Sequence, residues 1–175
     1  MAKDDVYIES GETKVVRCPR TGKMKEVDLS LQALSKTMTN IQKSAEIINN
    51  PKTSYEMALG RFNYIEELVL DSAQFSPRLQ NLQIKINNRV VEVVRHLEEF
   101  QEMKHAFMRK HYIQIAQEKL QKAQRLQGKH KEDELSYIVK YMMDGSKIFG
   151  TDDAYNQKLA EVRRALLEFH KENGF

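Results

Sequence analysis

The chain has 175 residues, 41% of them apolar and 30% charged, with a net charge of +3. This suits one domain with a small appendage and excludes a chain too polar to build a core. Only seven Gly and three Pro interrupt it and no Trp is present, a scarcity of breakers that favours long helices over many short strands. Its one cysteine, Cys18, excludes an intramolecular disulfide, and the polar N-terminus MAKDDVYIESGE has no apolar run of the secretory kind. No stretch approaches the ~18 apolar residues of a membrane span. The expectation is a soluble cytoplasmic protein with no membrane partner.

In chain order, DVYIE and TKVVRC are β-branched runs separated by Ser10-Gly11-Glu12, a hairpin pattern. Asp28 or Ser30 then caps a helix with Leu31, Leu34, Met38, Ile41, Ala45 and Ile48 on one face. Asn49-Asn50-Pro51 ends it, because the ring of Pro51 disfavours helical geometry at Asn50. Thr53-Ser54-Tyr55-Glu56 reads as a capping box with Thr53 as the cap. The helix it opens carries Met57, Leu59, Phe62, Ile65, Leu68 and Val69.

Ser76-Pro77 predicts the start of a third helix. No Gly or Pro follows until Gly128, so a helix of roughly 50 residues, about 75 Å long, is permitted. Leu79, Ile86, Val93, Phe100 and Phe107 recur every seven residues, with Val90 and Leu97 beside them, which predicts a stripe facing a partner helix. Ile113, Ala116, Leu120 and Ala123 form a second stripe about 150° round the same helix. The reading taken is one long helix that hands its apolar face to a new partner between Met103 and Tyr112. GKHKED is expected to be a loop and ELSYIVKYMM a short helix ended by Asp144-Gly145. Thr151-Asp152-Asp153 caps a last helix through Leu159, Val162, Leu166 and Phe169, stopped by Asn173-Gly174. These elements predict an all-α fold. An antiparallel bundle of about five helices with one long central helix fills residues 29–175, behind a small N-terminal β-hairpin over residues 1–28.

Within that hairpin, Cys18-Pro19 followed by Gly22-Lys23 is half of a zinc knuckle. A zinc ribbon needs four ligands in tetrahedral array, normally from two such knuckles. Here Thr21 stands where the second Cys belongs, and no second knuckle exists. The five histidines, at 96, 105, 111, 130 and 170, fall on presumed helices or a distant loop. The segment reads as a turn that Pro19 and Gly22 favour without metal.

Asn49-Asn50-Pro51-Lys52-Thr53, followed by Gly60-Arg61-Phe62-Asn63-Tyr64, resembles a segment of uncharacterised helical proteins from phages and mobile elements of Gram-positive bacteria. Those proteins carry an Asn-Pro-x-Thr stretch and then Phe-x-Arg-Tyr-Asp, and some have a zinc ribbon in front. The match covers about 20 of 175 residues. It departs from the pattern at Asn63, where Asp is usual, and by about one extra helical turn between Thr53 and Arg61. The resemblance implies a helical body behind a degenerate knuckle and brings no known activity with it.

Catalytic patterns are sparse. Glu102-Met103-Lys104-His105 is a Glu-x-x-His, but di-iron bundles need that motif twice with two further Glu. One copy reads as an exposed pair on a charged face, as do His96 and Glu99. Gly-rich phosphate loops, Gly-x-Ser-x-Gly and His-Glu-x-x-His do not occur. Cys18, between Arg17 and Arg20, has no orienting base in view. The chain is expected not to be an enzyme and to carry no cofactor or metal.

The positive charge is concentrated. Residues 104–131 hold eight Lys and Arg against one Glu. On a helix, Lys104, His111, Lys119, Lys122, Arg125 and Lys129 fall within about 60° of one line, opposite Ile113 and Leu120. Such a face could follow a phosphate backbone, an acidic protein surface or anionic lipid, or be a solvated face that balances the acidic C-terminal helix. It has no adjacent aromatics for stacking. The function expected first is a non-enzymatic helical protein-interaction module, an accessory protein of a phage or mobile element. Self-association is expected from two apolar stripes too widely separated for one bundle to cover. The alternative is a nucleic-acid-binding protein using the 104–131 face, and the weakest is a metal-dependent bundle enzyme.

Overall fold

A computed structural model describes residues 13–17, 22–28 and 30–174. The chain divides into two compact units, Met1–Lys104 and His105–Phe175. The boundary between these units falls inside a helix, Leu97–Ala123.

In the first unit, β1 (Thr13–Arg17) pairs antiparallel with β2 (Met24–Asp28), Arg17 opposite Met24. TKVVR is thus the first strand of the described hairpin, where the sequence suggested the second. Gly22 sits in its connection at φ +74, a conformation glycine adopts freely, and its carbonyl accepts from Arg17 Nη1 at 3.0 Å. Residues 5–9 and 18–21, hence the other expected strand and Cys18, lie outside the described residues.

α1 (Leu31–Asn49) starts at Ser30, whose hydroxyl accepts from the Ala33 amide at 3.2 Å. Leu34, Ile41, Ala45 and Ile48 are buried as their spacing predicts, while Leu31 is exposed. α2 (Tyr55–Asp71) is capped by Ser54 and not by Thr53: the Ser54 hydroxyl accepts from the Met57 amide at 3.2 Å. Thr53 instead donates to the Ile47 carbonyl at 2.7 Å, satisfying a carbonyl at the end of α1. The Asn50 side chain accepts from the Lys52 amide at 2.9 Å. Asn50-Pro51-Lys52-Thr53 is therefore a compact turn between two helices packed on each other. Ala58, Phe62, Ile65 and Val69 face inward, and Met57, expected there, is exposed.

Residues 76–96 depart most from expectation. Ser76-Pro77 opens only a 3₁₀ turn, Pro77–Leu79. β3 (Gln83–Ile86) then pairs with β4 (Arg89–Glu92) across Asn87 and Asn88, at φ +51 and +67. Two consecutive positive φ values make the two-residue turn whose twist matches a hairpin, and Asn tolerates them better than most residues. Asn49 of α1 holds this turn. Its Nδ2 donates to the Lys85 carbonyl at 2.6 Å and its Oδ1 accepts from the Asn87 amide at 3.0 Å. The continuous helix expected from residue 77 is corrected: α3 is Leu97–Ala123, 27 residues. Leu79, Ile86, Val93 and Phe100 are all buried, but on a turn, a strand, a strand exit and a helix. Their common spacing is no helical repeat. Phe100 packs at 5.4 Å, centroid to centroid, on Phe62, and Glu66 of α2 accepts from Gln101 and Lys104 at 2.9 and 3.3 Å.

The second unit holds the rest of α3 with α4 (Gly128–Phe149) and α5 (Asp153–Glu172). GKHKED is the first turn and a half of α4, not a loop, and α4 runs through Gly145 to Phe149. Gly145 is a packing position: a Cβ there would stand 2.1 Å from Tyr155 Oη and 2.8 Å from the Tyr112 ring. Asp152 caps α5, accepting from the Tyr155 amide at 2.7 Å, as its sequence predicts. Ala116, Leu120 and Ala123 of α3 join Leu135, Ile138, Met142, Val162 and Phe169 in one core. Tyr112 stacks on Tyr141 at 4.6 Å beside it. Leu79, Ile86, Val93 and Phe100 are thus buried in the first unit and Ala116, Leu120 and Ala123 in the second, which removes two largely uncovered stripes as a ground for self-association. The described residues form five helices with an N-terminal hairpin, as expected, and a second hairpin in addition. Among them no helix is long and apolar enough to cross a membrane.

Candidate functional site

The basic face does not run as one line. Lys104 belongs to the first unit, where it meets Glu66 at 3.3 Å with both side chains mostly buried. His111, Lys119 and Lys122 lie on α3 in the second unit. α3 ends at Ala123, so Arg125 falls in the turn that follows and Lys129 on the first turn of α4. His111 is half-buried, and Arg125 is exposed.

The fold brings Lys119 and Lys122 together on a residue the sequence reading passed over. Glu134 of α4 lies 3.3 Å from Lys119 Nζ and 3.6 Å from Lys122 Nζ, its side chain only 15% exposed. Lys129 pairs along its own helix with Glu132 at 3.0 Å and Asp133 at 3.3 Å. Its hydrogen bonds to Glu132 and Asp133, and their charges, hold its pKa above the ordinary lysine value. Most of the segment's positive charge is therefore answered within the chain.

These residues border an open groove of about 420 Å³ at the α3–α4 corner, lined by Lys119, Lys122, Leu126, His130, Asp133, Glu134 and Tyr137. Tyr137 is 52% exposed, and Lys119 Nζ lies 4.8 Å from its ring centroid, a cation–π contact. The sequence reading found no aromatic beside the basic face; the fold supplies one from the next helix. The signal was present in the short connection between α3 and α4. A tight helical hairpin sets residues before the turn against residues equally far beyond it. Reading GKHKED as a loop hid that register.

Glu102 and His105 are both exposed, and the His105 ring meets Phe149 edge-on at 6.4 Å. Among the described residues, no group of three His, Cys, Asp or Glu could hold a metal ion. His170 Nε2 lies 3.1 Å from Glu132. Comparison with protein-family models, with curated proteins and with solved structures finds no match to this chain.

Proposed function

We propose that the chain is a non-enzymatic helical protein-interaction module whose contact surface is the α3–α4 groove. The observation that supports this reading is the groove's composition: Tyr137 and Leu126 between charged side chains that already pair with one another. Exposed aromatic and aliphatic anchors inside a polar rim are what protein interfaces use, and strongest when water is excluded around them. The alternative, nucleic-acid binding along residues 104–131, is disfavoured by Glu134. A phosphate approaching Lys119 or Lys122 meets that carboxylate as well. We further propose, on the resemblance around residues 49–64, that the module serves a phage or mobile element.

The test is a titration of labelled single-stranded and duplex DNA at 150 mM salt. Binding no tighter than ~10 µM is expected, the weak non-specific range. A sub-micromolar complex abolished by the combined reversals Lys119→Glu, Lys122→Glu and Arg125→Glu, in a variant that stays folded, would replace this reading with the nucleic-acid one. Elemental analysis addresses the weakest alternative, because stoichiometric iron or zinc would revive a metal-dependent enzyme.

A further inference from the structure

We infer that the occupant of this groove is a second copy of the chain, docked groove to groove about a two-fold axis. The inference rests on reading the groove as a protein-contact surface. One wall, from α3, carries Lys119 and Lys122; the other, from α4, carries Asp133 and Glu134. A two-fold axis running along such a groove lays each copy's cationic wall on the other's anionic wall, so the patch is complementary to its own image. A polyanion is matched on the first wall and repelled on the second, and a basic segment the reverse. Only an occupant bearing both signs in the same arrangement satisfies both walls, and this chain is one.

The apolar side chains set the strength. Tyr137, half exposed, and Leu126 line the same groove, where a facing copy removes them from water. The ionic groups contribute register more than affinity, because pairs within one chain are exchanged for equivalent pairs between chains. Lys122 and Asp133 are well placed for that exchange, with side chains 62% and 64% exposed.

Sedimentation of the full chain tests the inference. The wild type is expected to show a reversible monomer–dimer equilibrium in the ~10–100 µM range, weakened at least ~10-fold by Tyr137→Ser, which truncates the central anchor. Tyr137 stands outside the buried core of its unit, so circular dichroism should report an unchanged fold. A four-fold charge swap, Lys119→Glu, Lys122→Glu, Asp133→Lys and Glu134→Lys, keeps opposite walls opposite. It should dimerise with itself and form no mixed dimers with wild type, read by energy transfer between labelled chains. Free mixing, or a dimer indifferent to Tyr137→Ser, would overturn the groove as the interface. A strict monomer at several hundred micromolar that also ignores labelled DNA would overturn the second-copy inference alone. A DNA complex lost in the Lys119, Lys122 and Arg125 reversals would overturn both it and the reading beneath it.

Discussion

Two glycines inside helices show how differently the two units are built. Gly60, in α2 of the first unit, is exposed, and a Cβ added there would meet nothing within 4 Å. Gly145, in α4 of the second, is buried, and the same Cβ would strike the Tyr155 hydroxyl and the Tyr112 ring. The residue and the backbone state are the same, so helix propensity treats the two positions alike. Packing separates them. Where Gly145 lies, the second unit is closed by aromatic side chains meeting face and edge, Tyr112, Tyr141, Phe149 and Tyr155 among them. The first unit is packed mainly by aliphatic side chains around Phe62 and Phe100, and side chains and turns at Ser30, Ser54, Asn49 and Asn87-Asn88 hold its element ends.

The contrast is broken most directly by alanine at both glycines. Gly145→Ala should destabilise the second unit by about 3 kcal/mol, the upper range for forcing extra volume into a packed core. Gly60→Ala should stabilise by up to ~1 kcal/mol, the helix propensity gain. Urea denaturation reads both, and equal signs would dissolve the contrast.

Next in size is the first unit's corner. Asn88→Val places a β-branched side chain at φ +67 and should cost about 1–2 kcal/mol, whereas Asn88→Gly should be neutral or better. Equal effects from the two variants would show that the turn geometry is not what matters there. Smaller still is Ser76→Ala. Among the described residues the fully buried Ser76 hydroxyl has no hydrogen-bond partner, so its removal should leave stability unchanged or raise it by up to ~1 kcal/mol. A loss of ~2 kcal/mol would mean the hydroxyl is satisfied after all.

The last effect is read on the alkaline side. Burial, reinforced by Tyr112, Tyr141 and Asp144, pushes the Tyr155 phenol above its ordinary value, and its hydroxyl donates to the Met142 carbonyl at 2.6 Å. The folded pKa exceeds the unfolded value of about 10, so this contribution is complete below pH ~10 and lost as pH rises toward the folded value. Tyr155→Phe should therefore flatten the alkaline limb of the stability profile. An unchanged alkaline slope would place the titration elsewhere.

How much could be read in advance follows the same division. Two helical stretches of the second unit were legible because Leu159, Val162, Leu166 and Phe169, or Ala116, Leu120 and Ala123, repeat with one period and face one core, whereas α4 extends at both ends beyond the expected ELSYIVKYMM. The stretch QIKINNRVVE was misread because two periods compete there. Ile84 and Ile86 alternate on β3, Val91 and Val93 alternate beyond the turn, and the pair of turn residues leaves a spacing of seven between Ile86 and Val93. The Asn-Asn dipeptide was the discriminating signal, since a corner with two positive φ values admits few other residues. At the groove, the lysines were visible in the sequence and their counter-charge was not. Glu134 lies 15 residues from Lys119, and only the helical hairpin brings them together.

That neutralisation is the claim most exposed to a single measurement, the salt dependence of duplex DNA binding for wild type and Glu134→Gln. The log–log slope is about −0.9 per phosphate neutralised on B-DNA. With Lys119 and Lys122 engaged by Glu134, the wild-type slope should be no steeper than about −2, and Glu134→Gln should steepen it by about 2 as both lysines become available. A wild-type slope of about −4 or steeper, unchanged by Glu134→Gln, would show the lysines meeting phosphate regardless of their carboxylate and would contradict the claim.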